Sequence, residues 1–235
     1  MDLLARLAED PAKAALFLDV DGVLAPIVPK PEDARVPDET REELRRLNES
    51  YALVACISGR AGADAQRVVG IPELVYVGNH GLELDGEAAE WGERLQRFLS
   101  DVAWPATENK QLTASLHYRG WPDEGAAHAA LEDVKARAER EGFVARFGRK
   151  VLEVLPPLEV HKGTAVRQLL AEQGLRRALY AGDDTTDLDG FKALDDLDVS
   201  VRVAVASHES PPELRESGDL VVANPEEFVS LLRRL

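Results

Sequence analysis

The sequence predicts an α/β fold in which helices cover both faces of a parallel sheet, with a small α+β domain inserted into it. Apolar runs alternate with helical stretches near both ends of the chain, which favours parallel strands joined by helices. The middle of the chain alternates polar and apolar residues along its strands, as an antiparallel sheet with one open face does. We therefore predict a core from residues 1–84 and 158–235, and an inserted domain from residues 85–157.

The first part of the predicted core contains three short strands separated by helices. Ala14–Leu18 is an apolar run, and the helical stretch Asp38–Ser50 separates it from the continuous apolar run Tyr51–Ile57. A helix from about Ala61 then leads to a third strand at Leu74–Val77. Because parallel strands need a crossover connection, this alternation indicates neighbouring parallel strands.

The predicted inserted domain has two long helices and three strands. The helices are Glu90–Val102 and Asp123–Glu141, and the strands are Gln111–Arg119, Phe143–Phe147 and Lys150–Leu155. Since the strands alternate in polarity, we expect one face of their sheet to be buried and the other to be open.

The alternation of strand and helix returns in the last part of the chain. Lys162–Gln173 is predicted as a helix that stops at a glycine, and Arg177–Ala181 as a strand followed by a helix to about Leu194. Val199–Ala206 is predicted to be the last clear strand, and Pro225–Leu235 a closing helix.

Composition excludes several classes of function. The 235 residues carry 43 acidic and 28 basic side chains, a formal charge of −15, which argues against nucleic-acid binding. The longest apolar run, Tyr51–Ile57, is far shorter than the roughly 20 residues that span a bilayer. The single cysteine, Cys56, excludes an intramolecular disulfide and makes a thiolate-rich zinc site unfavourable. With no apolar leader at the N-terminus, we expect a cytoplasmic protein without membrane contact.

Carboxylates cluster where two predicted strands end. Asp19 and Asp21 follow the first strand, and Asp183 and Asp184 follow the strand at Arg177–Ala181, with Asp187 one helical turn later. The carboxyl ends of parallel strands form the ligand-binding edge of such sheets. Two carboxylate clusters facing each other would repel unless a divalent cation lay between them, and an oxygen-only donor set favours Mg²⁺. The alternatives are solvated loop acids and, for residues 184–187, ordinary helix N-capping.

Two further motifs lie at helix starts. Ser58-Gly59-Arg60 follows the second strand, and its hydroxyl and free N–H groups suit an anion, although Ser-Gly is also a generic turn. Lys162 opens a helix, which the helix dipole disfavours, and this fits a lysine that contacts a phosphate. The alternative is a solvent-exposed lysine.

In this order the motifs resemble those of the haloacid dehalogenase superfamily of phosphohydrolases. Within it, the sequence is similar to the trehalose-6-phosphate phosphatase family in the segments Asp19–Ile27, Gly78-Asn79-His80-Gly81, Leu116-His117-Tyr118-Arg119 and Gly182–Phe191, and in Glu108-x-Lys110 and Leu152-Glu153-Val154. One departure is Val23, where this family usually has threonine. The resemblance implies a Rossmann-like core with a cap domain that selects the substrate.

The resemblance also implies roles for individual residues. Asp19 would be the nucleophile that forms an aspartyl-phosphate, and Asp21 the general acid and base. Ser58 and Lys162 would hold the phosphoryl oxygens, with Gly59, Arg60, Asn79 and His80 nearby in the substrate site. Mg²⁺ would be held by Asp19, the Asp21 backbone carbonyl and Asp183, with Asp184 or Asp187 behind.

Four residues of the inserted domain are predicted to recognise the sugar. Lys110, His117, Arg119 and Glu153 alternate with apolar neighbours, so they could line one open face; the alternative is an ordinary solvent-facing surface. The expected substrate is trehalose 6-phosphate, and functional coupling to a sugar-phosphate synthase is expected as well. Glucosyl- or mannosyl-phosphoglycerate, sucrose phosphate or another sugar phosphate is the alternative substrate, and a non-catalytic sugar-phosphate-binding module is the alternative class.

Overall fold

The computed structural model describes residues 2–206 and 210–235. It divides into two compact units. Unit 1 contains the chain up to Gly81 together with Val160–Leu235, and unit 2 contains Leu82–Glu159. In chain order the helices and strands are α1 (Leu3–Ala8), β1 (Ala15–Leu18), α2 (Asp38–Ser50), β2 (Leu53–Ile57), α3 (Gly62–Val69), β3 (Val75–Val77), α4 (Ala88–Val102), β4 (Thr107–Asn109), β5 (Ala114–His117), α5 (Glu124–Arg140), β6 (Val144–Gly148), β7 (Val151–Leu155), α6 (Lys162–Gln173), β8 (Arg177–Gly182), α7 (Asp187–Lys192), β9 (Val199–Val205), α8 (Pro212–Ser217), β10 (Leu220–Val222) and α9 (Pro225–Leu232).

Unit 1 is built on a parallel sheet with strand order β10-β9-β8-β1-β2-β3. Every residue of β1 and β2 is buried, which explains why both strands are continuous apolar runs rather than alternating ones. The predicted parallel sheet is confirmed. Val199–Ala206 was predicted as the last clear strand, and the structure adds the short strand β10 after it. β10 is a partly exposed edge strand of three residues, too short to show a hydrophobic period.

The strand order brings the two ends of unit 1 together. β1 pairs with β2 on one side, with Ala15 opposite Leu53, and with β8 on the other, with Ala15 opposite Ala178. The strands that follow β1 in the first segment lie on one side of it, and those of the last segment lie on the other, so the strand order reverses at β1. In sheets of this kind ligands bind beyond the carboxyl ends of the strands at such a point.

Unit 2 contains an antiparallel sheet with strand order β4-β5-β7-β6. Leu116, Leu152 and Val154 point to its buried face, where they pack with apolar residues of α4 and α5. The register aligns Ser115 with Glu153 and Glu153 with Arg146 on the opposite face. The predicted α+β character of this segment is confirmed. The strand predicted at Gln111–Arg119 covers only Ala114–His117, because a turn with Gln111 at φ +72° precedes it.

The hydrophobic core of unit 1 includes residues of β1, β2, β8 and β9 and of helices α1, α2, α3 and α9. Over residues 2–206 and 210–235, none of the helices combines the length and the apolar character needed to cross a membrane.

Candidate active site

Asp19 is the first residue after β1, and its position is fixed by its own backbone. Its N–H donates to the carbonyl of Ala181 at 3.0 Å, which extends the pairing of β1 with β8. Its Oδ1 accepts a hydrogen bond from the N–H of Val20 at 2.7 Å, and its Oδ2 accepts one from Lys162 Nζ at 2.8 Å. The side chain is 8% exposed, so Asp19 is a buried carboxylate with one oxygen fixed by the backbone and one by a lysine.

Lys162 is the first residue of α6 and is buried, with 2% of its side chain exposed. Its Nζ donates to Asp19 Oδ2 at 2.8 Å and to Asp187 Oδ1 at 2.7 Å. Although burial opposes its charge, the two carboxylates hold the pKa of Lys162 above its usual range. The alternative of a solvent-exposed lysine at this position is therefore wrong.

Asp187 begins α7 and is completely buried. Its Oδ1 accepts hydrogen bonds from Lys162 Nζ at 2.7 Å and from the Tyr180 hydroxyl at 2.8 Å. Its Oδ2 accepts from the N–H groups of Asp183 and Asp184, both at 3.0 Å. A carboxylate offers about four lone-pair sites, so these four donors use its capacity. Asp187 therefore fixes the lysine and the loop after β8.

Asp183 and Gly22 bring the loops after β8 and β1 into contact. Gly22 has φ +79°, and a Cβ placed on it would lie 2.0 Å from Asp183 Oδ2. Only glycine satisfies both conditions, because other residues disfavour this backbone conformation and would collide with the carboxylate. The glycine of the Asp-x-Asp-Gly motif thus allows the Asp183 carboxylate to lie against the loop that carries Asp19.

Three carboxylates converge in unit 1. One oxygen each from Asp19, Asp183 and Asp187 lies within 4.8 Å of the others. Burial raises the pKa of Asp19 to about 7 against the attraction of Lys162, and Asp187 adds to the rise. Burial and the charges of Asp19 and Asp187 raise the pKa of Asp183 to about 8. One lysine does not balance three carboxylates, so this oxygen-only donor set is suited to a divalent cation.

The carboxylates of Asp21 and Asp184 do not belong to this group within the described part of the chain. Asp184 is exposed, and its Oδ1 accepts a hydrogen bond from the N–H of Thr185 at 2.7 Å. Asp21 accepts two hydrogen bonds from Arg60, from Nε to Oδ2 at 2.6 Å and from Nη2 to Oδ1 at 2.8 Å. Arg60 therefore contacts the second aspartate of the motif directly.

The loop after β2 is connected to the loop after β3. The Ser58 side chain is buried, and its Oγ accepts from the Arg60 N–H at 3.1 Å. The N–H groups of Asn79 and His80 donate to the carbonyls of Arg60 at 2.7 Å and Ser58 at 2.9 Å. The His80 ring lies against Gly59, 2.7 Å from where a Cβ would stand. Of the predicted substrate residues, Ser58, Arg60, Asn79 and His80 are thus joined by hydrogen bonds, and Gly59 lies against the His80 ring.

The predicted residues of unit 2 share the open side of its sheet only in part. His117 Nε2 lies 3.2 Å from Glu108 Oε2, and Lys110 Nζ lies 3.8 Å from Glu108 Oε1, so both side chains contact Glu108. Glu153 accepts from Arg146 Nε at 2.8 Å on the neighbouring strand. Arg119 lies beyond the end of β5, where Nη2 donates to the carbonyl of Arg149 at 3.3 Å.

Comparison with known proteins identifies the family of this chain. The trehalose-phosphatase family model matches residues 17–219. The chain is 30% identical to a trehalose 6-phosphate phosphatase of Zea mays over 94% of this chain and 69% of that protein.

The chain belongs to the trehalose-phosphatase family.

Solved structures agree on the fold. The crystal structure of a trehalose-6-phosphate phosphatase related protein matches with a TM-score of 0.73 and 22% identity, over 93% of this chain and 95% of that one. A haloacid dehalogenase-like hydrolase from Bacteroides thetaiotaomicron matches with a TM-score of 0.64 and 14% identity, over 94% and 98%. The fold is therefore that of the haloacid dehalogenase-like phosphatases. Trehalose-phosphatases are phosphoric monoester hydrolases, so this is the enzyme class of the chain.

Several residues around the candidate site of this trehalose-phosphatase family member were not predicted from the sequence. Tyr180 and Asp64 contact predicted site residues, and Arg146 contacts the predicted Glu153. Tyr180 lies in an apolar strand, where a tyrosine is ordinarily a packing residue. Asp64 stands four residues after Arg60 at the start of a helix, a spacing that does indicate an ion pair and was the available signal.

Proposed function

We propose that this chain hydrolyses trehalose 6-phosphate to trehalose and phosphate with Mg²⁺, through an aspartyl-phosphate on Asp19. The observation that carries this proposal is the buried contact of Lys162 with Asp19 and Asp187 at 2.8 and 2.7 Å, beside Asp183. A solvated loop acid needs no buried lysine, whereas a nucleophile that meets a phosphate does. Complete retention of these groups supports an enzyme over a non-catalytic binding module.

In the first proposed step, an oxygen of Asp19 attacks phosphorus and the bond from phosphorus to the sugar oxygen breaks. Asp21 donates a proton to the departing sugar oxygen, which leaves as a hydroxyl group. In the second step, Asp21 takes a proton from water, the water oxygen attacks phosphorus, and the bond to Asp19 breaks. Because Asp19 is buried beside Lys162 and Asp21 is partly exposed beside Arg60, the two carboxylates have different surroundings, as two different roles require.

Ser58 and Lys162 are proposed to bind the phosphoryl oxygens. Lys162 supplies a fixed positive charge, and Ser58 supplies a hydroxyl group at the end of β2. Gly59, Asn79 and His80 are proposed to complete this side of the substrate site. Arg60 was also predicted to be part of the substrate site. Its side chain donates to Asp21, so we propose that it orients that carboxylate.

Mg²⁺ fits the oxygen-only donor set and the raised pKa values of Asp19 and Asp183. Asp19, the Asp21 carbonyl and Asp183 are proposed to hold it. When bound, it would neutralise part of the phosphate charge and act as a Lewis acid on a phosphoryl oxygen. Asp187 already accepts four hydrogen bonds, so we propose that it orients Lys162 and the loop after β8, with exposed Asp184 behind it.

Residues 85–157 are proposed to be the domain that selects the sugar. His117, Glu153 and Lys110 offer donors and acceptors of the kind that distinguish sugar hydroxyls. Their contacts with Glu108 and Arg146 hold them in place without burying them. Arg119 is proposed to contribute from the end of β5. The substrate would come from a sugar-phosphate synthase, and functional coupling to such a synthase in the cytoplasm is part of this proposal.

The test is phosphate release from a panel of sugar phosphates in Mg²⁺, with and without EDTA. We expect trehalose 6-phosphate to be preferred, EDTA to abolish release, and Asp19→Asn to lower kcat at least about a thousandfold. Asp38→Asn, at an exposed helix start, is the matched control and should retain activity. Preference for sucrose phosphate or for glucosyl- or mannosyl-phosphoglycerate would mean that this compound, and not trehalose 6-phosphate, is the substrate. Activity that survives EDTA or Asp19→Asn would contradict the mechanism.

A further inference from the structure

Arg60 is held by groups on both edges of its guanidinium plane. On one edge, Nε and Nη2 donate to the two oxygens of Asp21 at 2.6 and 2.8 Å. On the other, Nη1 donates to Asp64 Oδ2 at 2.7 Å and to the carbonyl of Pro31 at 3.0 Å. The Arg60 side chain is only 12% exposed. Arg60 therefore connects Asp21 to an acid of helix α3 and to the backbone at Pro31.

Asp64 is itself fixed. It lies in the first turn of α3, and its Oδ1 accepts a hydrogen bond from Arg67 Nε at 2.9 Å, while Oδ2 accepts from Arg60. Because a guanidinium group is planar and rigid, fixing one edge fixes the direction of the other. The edge that contacts Asp21 is thus oriented by Asp64 and Pro31, neither of which touches the Asp21 carboxylate.

We infer that Asp64 is a positioning residue for the proposed reaction and that it acts through Arg60 on the carboxyl group of Asp21. This inference rests on the proposed function, in which Asp21 transfers a proton to the leaving sugar oxygen. Proton transfer depends steeply on the position of the donor. If Arg60 loses its contact with Asp64, it orients the Asp21 carboxyl group less well, and the proton is transferred less efficiently. The proposed binding of the phosphate by Ser58 and Lys162 does not involve Asp64.

Comparing two substrates with different leaving groups distinguishes this role from a merely structural one. A sugar alkoxide needs a proton as it departs, whereas p-nitrophenolate departs as a stable anion. The ratio kcat/KM reports the steps up to and including the departure of the leaving group. We expect Asp64→Ala to lower kcat/KM for trehalose 6-phosphate about tenfold and for p-nitrophenyl phosphate less than about twofold. A general loss of folded protein would lower both values equally.

Three further variants complete the experiment. Asp38→Ala is the matched control, because Asp38 also lies in the first turn of a helix and accepts from an arginine three residues later, Arg41, at 2.8 Å. It should leave both values of kcat/KM unchanged. Asp21→Asn gives the largest expected difference between the two substrates. Asp64→Asn keeps the shape of the side chain and replaces Asp64→Ala should that variant fail to fold.

Equal losses for both substrates, or no loss for either, in the folded Asp64 variant would overturn the inference while leaving the wild-type activity, and hence the proposed function, intact. A wild-type enzyme that releases no phosphate from trehalose 6-phosphate would overturn the proposed function and this inference with it.

Discussion

Tyr51 and Tyr76 both lie in unit 1 but differ in the hydrogen bonding of their hydroxyl groups. The Tyr76 hydroxyl donates to the carbonyl of Ile71 at 2.7 Å. The Tyr51 hydroxyl is buried and has no hydrogen-bond partner among the residues that the structure describes. A buried polar atom without a partner costs free energy, whereas a satisfied hydrogen bond contributes about 1 kcal/mol to stability.

We therefore predict opposite effects for the same substitution. Tyr76→Phe should lower the free energy of unfolding by about 1 kcal/mol, because it removes a made hydrogen bond. Tyr51→Phe should leave it unchanged or raise it by up to about 1 kcal/mol, because it removes an unsatisfied hydroxyl. Urea unfolding followed by circular dichroism measures both. A loss in Tyr51→Phe as large as that in Tyr76→Phe would mean that a water molecule satisfies the Tyr51 hydroxyl.

At this scale, sequence motifs predicted which residues carry charge near the strand ends but not how they pair. Asp19, Asp21, Asp183, Asp184 and Asp187 were predicted as carboxylate clusters, and in the described part of the chain only the oxygens of Asp19, Asp183 and Asp187 converge. The pairing of Arg60 with Asp21 was not predicted, because a Ser-Gly-Arg motif is equally compatible with an arginine that binds phosphate. Rotamers and contacts between distant segments decide such pairings, and the sequence pattern of either segment does not contain them.

The packing of α6 on α7 determines where Lys162 lies. A Cβ placed on Gly163 would stand 2.2 Å from the backbone carbonyl oxygen of Asp189, so the two helices are in contact at this point. The neighbouring residue, Lys162, reaches Asp187 at the start of α7. A side chain at residue 163 would push the helices apart and move the lysine from its two carboxylates.

Gly163→Ala should therefore lower the free energy of unfolding by about 1–3 kcal/mol, as overpacking does, and should lower kcat as well. Gly86→Ala is the matched control, because no heavy atom beyond its chain neighbours lies within 4 Å of a Cβ placed there. Thermal unfolding and phosphate release measure the two effects. Wild-type stability and kcat in Gly163→Ala would show that α6 can shift without moving Lys162.

Long helices were predicted with their bounds, whereas only some of the short elements were predicted. The predicted bounds of α2, Asp38–Ser50, and of α6, Lys162–Gln173, are those observed, because a helix of three or more turns shows its period and its end signals. The short elements α1, α8, β4 and β10 were not predicted. Each has only three to six residues, which is less than two turns of helix or one typical strand, so tertiary contacts define it.

The whole chain has separate apolar clusters in its two units. The cluster of unit 2 contains residues of β5 and β7 with Leu95, Phe98 and Leu131 from its helices, all at most 1% exposed. All of these residues come from one continuous stretch of chain. A cluster made from one stretch can form without the remainder of the protein.

We predict that residues 82–159 fold as an isolated fragment, with helical circular dichroism and a cooperative urea transition. Leu131→Ala should lower its free energy of unfolding by about 2–5 kcal/mol, because it leaves a cavity. Glu132→Ala, which is exposed on the same helix, should change it by less than about 0.5 kcal/mol. A fragment without a cooperative transition would contradict the separate domain that we propose for residues 85–157.

The strand order β8-β1-β2 has a consequence for a chain that is still being synthesised. β1 emerges early, but its partner β8 follows only after the whole of unit 2. Until β8 arrives, β1 is the edge of an incomplete sheet, and its unpaired backbone N–H and C=O groups are open to other chains. Pairing distant segments is slow, so this interval is when aggregation is most favoured. Lys162 and Asp187 also follow unit 2 in the chain, so an incomplete chain exposes an unpaired strand edge and lacks the buried contact of this lysine with Asp19 and Asp187.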